Sequence, residues 1–457
     1  MSDAKDSGSV DMQRDRRDRI EIGRRTFLRV AGAAASGGAG LAGILASGRA
    51  PAWAQGQKLH LLHWVDFVPA GDEELTRQVG EAGKALGAEI TLERINANDM
   101  QARITAAIES GNGPDIFQML HNWTHLYQKA STDVGELATW KESDQGSYYD
   151  LCRQASNVGG KWLSVPYGVV GNAVVYRKDL FGEAGEAAPP KTWDDNRRIG
   201  AKLKKKGIPF GQTLGHTFGD APTFSYPYLW SWGGKEVEPD GRTVAINSKE
   251  AVESIKFLVA MYKDAYDEGG LAWDDTNNNR AFLSGTIAAT LNGASIYIES
   301  KRKPQQYKTD KGDEMWKHLD HFPLPGGPAG QFSYHVPFAH AVMAYSKNQK
   351  LARDFLKWMH SKEQFGKWFV IEAGYSVGSN KHWEQHPMWE KLDPPMKPYR
   401  TASGFARGFG HAGPFSAKAT EAYTKYIVTD MYAKAVQGMK PEDSAKWAEG
   451  ELKKIYG

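Results

Sequence analysis

Between Leu59 and Met119 the chain alternates strand-length apolar runs with amphipathic helices, and this alternation limits the fold more than any other feature. Leu59 to Val65 is a short apolar run, Asp72 to Leu86 carries a helical apolar stripe, and Glu89 to Ile95 alternates with the period of a strand. Asn98 is placed to cap a helix whose Met100, Ile104, Ala107 and Ile108 share one face. Gly111-Asn112-Gly113-Pro114 stops that helix, and Asp115 to Met119 is strand-like again. Strand, helix, strand, helix, strand is an α/β signature.

Further along, Asn172 to Tyr176 reads as a strand, Pro189-Pro190 as a rigid turn, and Thr192 as the cap of the next helix. Asn247 with Glu250 three residues later predicts a capping box, opening a helix that faces Val252, Ile255, Leu258, Val259 and Tyr262 inward. Thr286 to Leu291 reads as a buried strand, Phe322 to Gly327 as a crossing segment, and Gln349 to Phe369 as one long helix. At ~100 to 200 residues per domain, a chain of 457 residues makes two or three domains, and 41% apolar content is ample for their cores. The single cysteine, Cys152, excludes an internal disulfide and a cysteine-based zinc site.

Residues 1–54 read as an address. A basic segment ends in Arg24-Arg25-Thr26-Phe27-Leu28, a mild Ala/Gly-rich stretch follows, and Ala52-Trp53-Ala54 has the form of a cleavage site. Together these resemble a twin-arginine export signal, which places the mature product in a periplasm. Without residues 1–54, 48 basic and 48 acidic residues remain, so the apparent basicity belongs to the leader. A nucleic-acid partner would demand a standing positive surplus and is not expected. Fourteen tryptophans persist beyond the leader, pointing to large cores or a cleft lined with aromatic rings.

Gly160-Lys161-Trp162-Leu163-Ser164-Val165-Pro166-Tyr167, Val174-Val175-Tyr176-Arg177-Lys178-Asp179-Leu180-Phe181 and Pro189-Pro190-Lys191-Thr192-Trp193-Asp194 resemble the signature of family 1 extracellular solute-binding proteins, the maltose-binding group of sugar importers among them. Ser110 to Asp115, Phe282 to Gly293, Phe322 to Gly326 and Ser346 to Trp358 are similar in order and spacing. The resemblance implies a two-lobe, periplasmic-binding-protein-like (type II) α/β fold with discontinuous lobes that close like a hinge. It puts residues 55–170 and 322–369 in lobe one and 171–321 and 370–457 in lobe two. It implies a monomeric receptor that takes a sugar or polyol-like solute and hands it to an ABC permease in the inner membrane, with no cofactor, no metal and no bond broken.

Sugars offer apolar faces that stack on rings, and hydroxyls that pair with carboxylates, amides or guanidinium. Residues of these types should cluster on loops after strand ends. By resemblance and placement the candidates in lobe one are Trp64, Asp66, Phe67, His121, Asn122 and Trp123. In lobe two they are Asp220, Thr223, Phe224, Asn292 and Ser295, with Tyr334, His335 and Arg407 as further candidates. Ser295 stands where the family carries an aromatic residue, so a stacking platform is missing and the ligand is expected to differ from a maltodextrin.

Other motifs fail on context. Gly374-Tyr375-Ser376-Val377-Gly378 has the letters of a nucleophile elbow, but a long helix precedes it where a strand is required. Gly408 to Gly413 has the letters of a dinucleotide fingerprint, with Pro414 where its helix would begin. His121 and His125 have ligand spacing without a third ligand nearby in sequence. The rival class is an exported enzyme, either a glycoside hydrolase using two carboxylates or a cofactor-loaded oxidoreductase.

Overall fold

The computed structural model describes residues 56–404 and 406–457, so the export signal expected in residues 1–54 lies outside the described residues. The alternating segments fold as β1 (Gln57–Trp64), α1 (Pro69–Leu86), β2 (Ala88–Ile95), α2 (Ala97–Ser110) and β3 (Ile116–Leu120). Helix α3 (Gly135–Gln145), β4 (Val165–Val170), β5 (Ala173–Arg177), α4 (Trp193–Lys205), β6 (Phe210–Gly211), α5 (Asp220–Ser231) and α6 (Lys249–Ala265) follow. The chain continues through β7 (Ala289–Asn292), β8 (Leu319–Phe322), β9 (Val336–Val342), α7 (Gln349–Met359), α8 (Lys362–Glu372) and β10 (Ser376–Gly378). Helices α9 (Ala417–Thr424), α10 (Ile427–Val436) and α11 (Pro441–Tyr456) end it.

Two mixed sheets organise these elements. The first runs β10-β4-β9-β3-β1-β2 and the second β8-β5-β7-β6. In the first, β1 is parallel to β2 and β3, while β9 runs antiparallel to both β3 and β4. The carboxyl ends of β1, β3 and β4 and the amino end of β9 therefore share one edge. In the second, Ala173 at the start of β5 pairs with Asn292 at the end of β7, and Val174 pairs with Phe322 at the end of β8. Two residues, Gly171 and Asn172, join β4 to β5, so these two edges are brought together. That juncture is where an α/β sheet places ligands.

Three local details differ from the sequence expectation. Asn96, not Asn98, caps α2, its side chain accepting the Asn98 N–H at 2.9 Å. Ser248, not Asn247, caps α6 through the Ala251 N–H at 3.1 Å. The long helix is two, α7 and α8, because Ser361 turns extended and caps the second by accepting from Gln364 N. Thr192 caps α4 as expected.

Candidate ligand-binding site

A cavity of about 30 Å³ lies where the two sheet edges meet. Trp64, Phe67, Val170, Val336 and Tyr375 line it from the first lobe, and Phe218, Gly219, Asp220, Asp275, Asn292, Gly293 and Ser295 from the second, with Asn172 between. Trp64 ends β1 and meets Phe67 at 5.7 Å and Phe218 at 5.6 Å between ring centroids, both edge to face. Phe67 lies 6.3 Å from Tyr375. A space of this size holds one water, so a solute is admitted only when the walls part.

The second lobe's wall is a closed polar network. Ser295 Oγ donates to Asn292 Oδ1 at 2.8 Å, Asn292 Nδ2 to Asn279 Oδ1 at 2.5 Å, and Asn279 Nδ2 to Ser295 Oγ at 3.1 Å. Asp275 accepts the N–H groups of Asp220 at 2.7 Å and Gly219 at 3.3 Å, holding the loop that opens α5, while Asn278 donates to Asp220. Burial pushes the Asp275 carboxyl up to about 6. Burial, then the charge of Asp275, holds Asp220 well above the usual carboxylate range.

Behind Trp64 and Phe67, Asp66 Oδ1 accepts the Val68 N–H at 2.9 Å and Oδ2 the Trp64 indole N–H at 3.4 Å. Burial pushes its carboxyl up to about 7. Glu372 is fully buried at the end of α8, with the Ser376 hydroxyl beside it as its hydrogen-bonding neighbour, and burial holds its carboxyl well above the usual carboxylate range. Glu372 and Asp66 converge on Gly71. A Cβ there would stand 2.2 Å from Glu372 Oε1 and 3.4 Å from Asp66 Oδ2.

The loop ahead of α5 is tied across the juncture by Phe218. Its N–H donates to Asn98 Oδ1 at 2.9 Å, and its carbonyl accepts from His121 Nε2 at 2.8 Å and from the Tyr423 hydroxyl. Because that ring nitrogen must carry the proton, His121 Nδ1 is the acceptor of the Tyr334 hydroxyl at 2.7 Å. Burial lowers the imidazole to about 3, so it is neutral. These two bonds also hold His121 at a φ of 52°, a region that non-glycine residues enter only when their surroundings fix them there.

Of the residues expected from sequence, Trp64, Phe67, Asp220, Asn292 and Ser295 line the cavity and Asp66 adjoins it. His121 and Tyr334 are buried beneath Phe218, their rings stacked at 5.5 Å. Asn122 and Trp123 are buried one step further in, the Asn122 amide and the Trp123 indole N–H without partners. Thr223 and Phe224 face the interior of the second lobe, where Phe224 meets Trp193 at 5.8 Å and Tyr228 at 5.5 Å. His335 and Arg407 line a neighbouring cavity of about 490 Å³ that shares Asn172 with the first. His335 Nδ1 accepts the Asn172 N–H at 2.7 Å, and the Arg407 guanidinium lies 5.8 Å from the Phe332 ring.

Sequence reasoning missed Phe218, Asp275, Asn172, Glu372 and Tyr375. Tyr375 lay inside the motif set aside as a failed nucleophile elbow, and the polar run Asp274-Asp275-Thr276-Asn277-Asn278-Asn279 ahead of β7 was the signal for Asp275. Among the described residues no group of three or more His, Cys, Asp or Glu side chains could hold a metal ion.

Comparison with known proteins gives this geometry its context. The family model for bacterial extracellular solute-binding proteins matches residues 72–364. The diacetylchitobiose binding protein DasA of Streptomyces coelicolor is 28% identical over 375 residues, 78% of this chain and 80% of its own. A binding protein of Brucella abortus is 24% identical over 285 residues, 60% of this chain, and the chain spans 64% of that relative's length. Among solved structures, maltose-bound MalE3 of T. maritima superposes with a TM-score of 0.73 at 20% identity, covering 87% of this chain and 99% of that one. The fold is therefore the two-lobe, periplasmic-binding-protein-like α/β fold.

Proposed function

The chain belongs to the bacterial extracellular solute-binding proteins, and from that premise we propose that it captures a carbohydrate or polyol-like solute between its lobes and delivers it, unchanged, to an ABC permease in the inner membrane. The observation that carries this reading is the cavity at the meeting of the two sheet edges, with rings from Trp64, Phe67, Phe218 and Tyr375 and planar polar groups from Asn172, Asp220 and Asn292. Rings and paired amides or carboxylates are the two surfaces a sugar needs. A diacetylchitobiose-binding relative and a maltose-bound structural neighbour support the solute class.

In this reading the protein works in the periplasm as a monomer, without cofactor or nucleic acid, after export by its twin-arginine leader. Lobe one comprises residues 55–170 and 322–378 and lobe two residues 171–321 and 379–457, the last boundary falling later than the 369/370 division expected from sequence. Sheet membership supports the crossings near 171 and 321. The pairing of β10 with β4 favours drawing the third crossing just beyond Gly378. Ligand contact with both lobes would bias an open–closed equilibrium that the permease reads.

Native mass spectrometry of freshly purified protein tests the reading, followed by titration calorimetry and product analysis with any retained solute. A retained saccharide or polyol, rebound and recovered intact, is the expected result. Chemical conversion of the solute would replace this function with an enzymatic one.

A further inference from the structure

The larger cavity, about 490 Å³, is built against the crossings between the lobes. Asn172 of the first crossing walls it, as do Phe322 and Pro323 where the chain leaves β8, and Tyr399 and Arg407 reach it from the C-terminal segment. At this volume it admits a small organic molecule, whereas the cavity beneath Trp64 holds one water.

Two residues of its wall carry polar atoms without partners. Tyr399 is 2% exposed, and its hydroxyl makes no hydrogen bond. His321 meets the Tyr399 ring edge to face at 5.2 Å. Its Nδ1 donates to the Pro395 carbonyl at 3.0 Å, which leaves Nε2 as an acceptor, and that atom too is buried and unpartnered. Burial lowers the imidazole to about 4, so the ring is neutral. Orphaned buried groups are costly and uncommon in folded chains. A hydroxyl answers both, donating to Nε2 and accepting from the phenol.

The rest of the wall suits a ring and a negative charge. Phe322 and Phe332 present apolar faces. Arg407 stands at the solvent edge, its guanidinium 5.8 Å from the Phe332 ring and without a carboxylate partner among the described residues. No Asp or Glu lines the cavity among the described residues. An arginine beside an aromatic face holds a planar carboxylate through two parallel N–H donors. A neutral sugar would satisfy His321 and Tyr399 but leave that charge unanswered.

We propose that this cavity is a second binding site, apart from the solute cleft, for a hydroxylated aromatic acid. The ligand's hydroxyl sits between His321 and Tyr399, its ring packs on Phe322 and Phe332, and its carboxylate pairs with Arg407. The assignment stands whether or not the cleft takes a carbohydrate.

Titration calorimetry with three matched probes tests this. They are 4-hydroxycinnamate, cinnamate, which lacks the hydroxyl, and 4-hydroxycinnamyl alcohol, which lacks the charge. The hydroxy acid is expected to bind at least 5-fold more tightly than cinnamate and at least 10-fold more tightly than the alcohol. Arg407→Gln should shrink the preference over the alcohol by 5-fold or more and keep the preference over cinnamate. Tyr399→Phe should do the reverse, shrinking the preference over cinnamate by 3-fold or more. Circular dichroism checks that each variant is folded, and if Tyr399→Phe is not, Arg407→Gln decides. No binding by any probe, either preference missing from the unaltered protein, or a preference that survives in the folded variant aimed at it overturns the inference.

Discussion

Trp123 follows β3 at a strand end, yet only 1% of its surface is exposed and its indole N–H has no partner. Truncating a tryptophan this buried leaves a cavity as well as losing transfer energy, so Trp123→Ala should cost about 3–5 kcal/mol. Trp123→Phe should cost less, because its ring leaves a smaller cavity while the unsatisfied donor is still removed. Urea unfolding checks both, as a lowered midpoint at unchanged slope. Lys141 makes a different residue-scale case. It is fully buried in α3, donating to the Pro166 carbonyl at 2.5 Å and Ser379 Oγ at 3.1 Å, and burial lowers its amine to about 7. From pH 7 towards the ordinary value of 10.5 the unfolded chain binds a proton that the folded chain does not. The folded state therefore gains stability as pH rises through that window, at roughly 1.4 kcal/mol per pH unit. Below pH 7 both states are protonated and the contribution is flat. Buried Cys152 and the buried tyrosines act oppositely at higher pH, so the comparison belongs between pH 7 and 8.5. Lys141→Met should flatten the rise of the urea midpoint relative to the unaltered protein, and equal slopes in the two would refute the assignment.

At the scale of elements, β1 to β3 and the helices between them were legible because period 2 and period 3.6 survive in residues that face one lobe core. Helix ends were less so. Asn96 and Asn98 are chemically equal candidates for the cap of α2, and Asn98 is taken instead by Phe218 from the other lobe, a partner 120 residues away. The division of α7 from α8 was hidden because Leu356, Met359, Phe365 and Phe369 keep apolar spacing across Ser361. Packing between helices is equally a long-range matter. Gly200 in α4 lies so close to its neighbours that a Cβ would stand 2.6 Å from Ala265 Cβ and 2.9 Å from Phe210 Cδ2. Gly80 in α1 is exposed, and a Cβ there meets nothing within 4 Å. Alanine improves helix propensity at both sites by about 1 kcal/mol. Gly80→Ala should therefore raise the melting temperature, while Gly200→Ala should lower it, overpacking costing about 1–3 kcal/mol. Calorimetric melting of the two variants separates propensity from packing.

For the molecule as a whole, what sequence could not reveal is which residues meet when the lobes close. Trp64 and Asn292 were legible as strand-end residues, but Phe218 and Tyr375 owe their positions to chain segments far apart in sequence. Closure is tight at one more point. Gly293 follows β7 of the second lobe, and a Cβ there would stand 2.9 Å from Tyr375 Cε2 and 3.0 Å from Val170 Cγ1, both of the first lobe. The tyrosine ring is held by its own packing and Val170 by pairing with Val336 and Ser376, so neither yields without moving its sheet edge. Cores and packed interfaces resist such insertions, and two lobes joined by short crossings can relieve this one by parting. Gly293→Ala should thus shift the population from closed towards open without loosening either lobe. The expected result is a larger radius of gyration by small-angle scattering at an unchanged melting temperature, together with weaker solute binding. Identical scattering from the variant and the unaltered protein would show that closure does not depend on this contact.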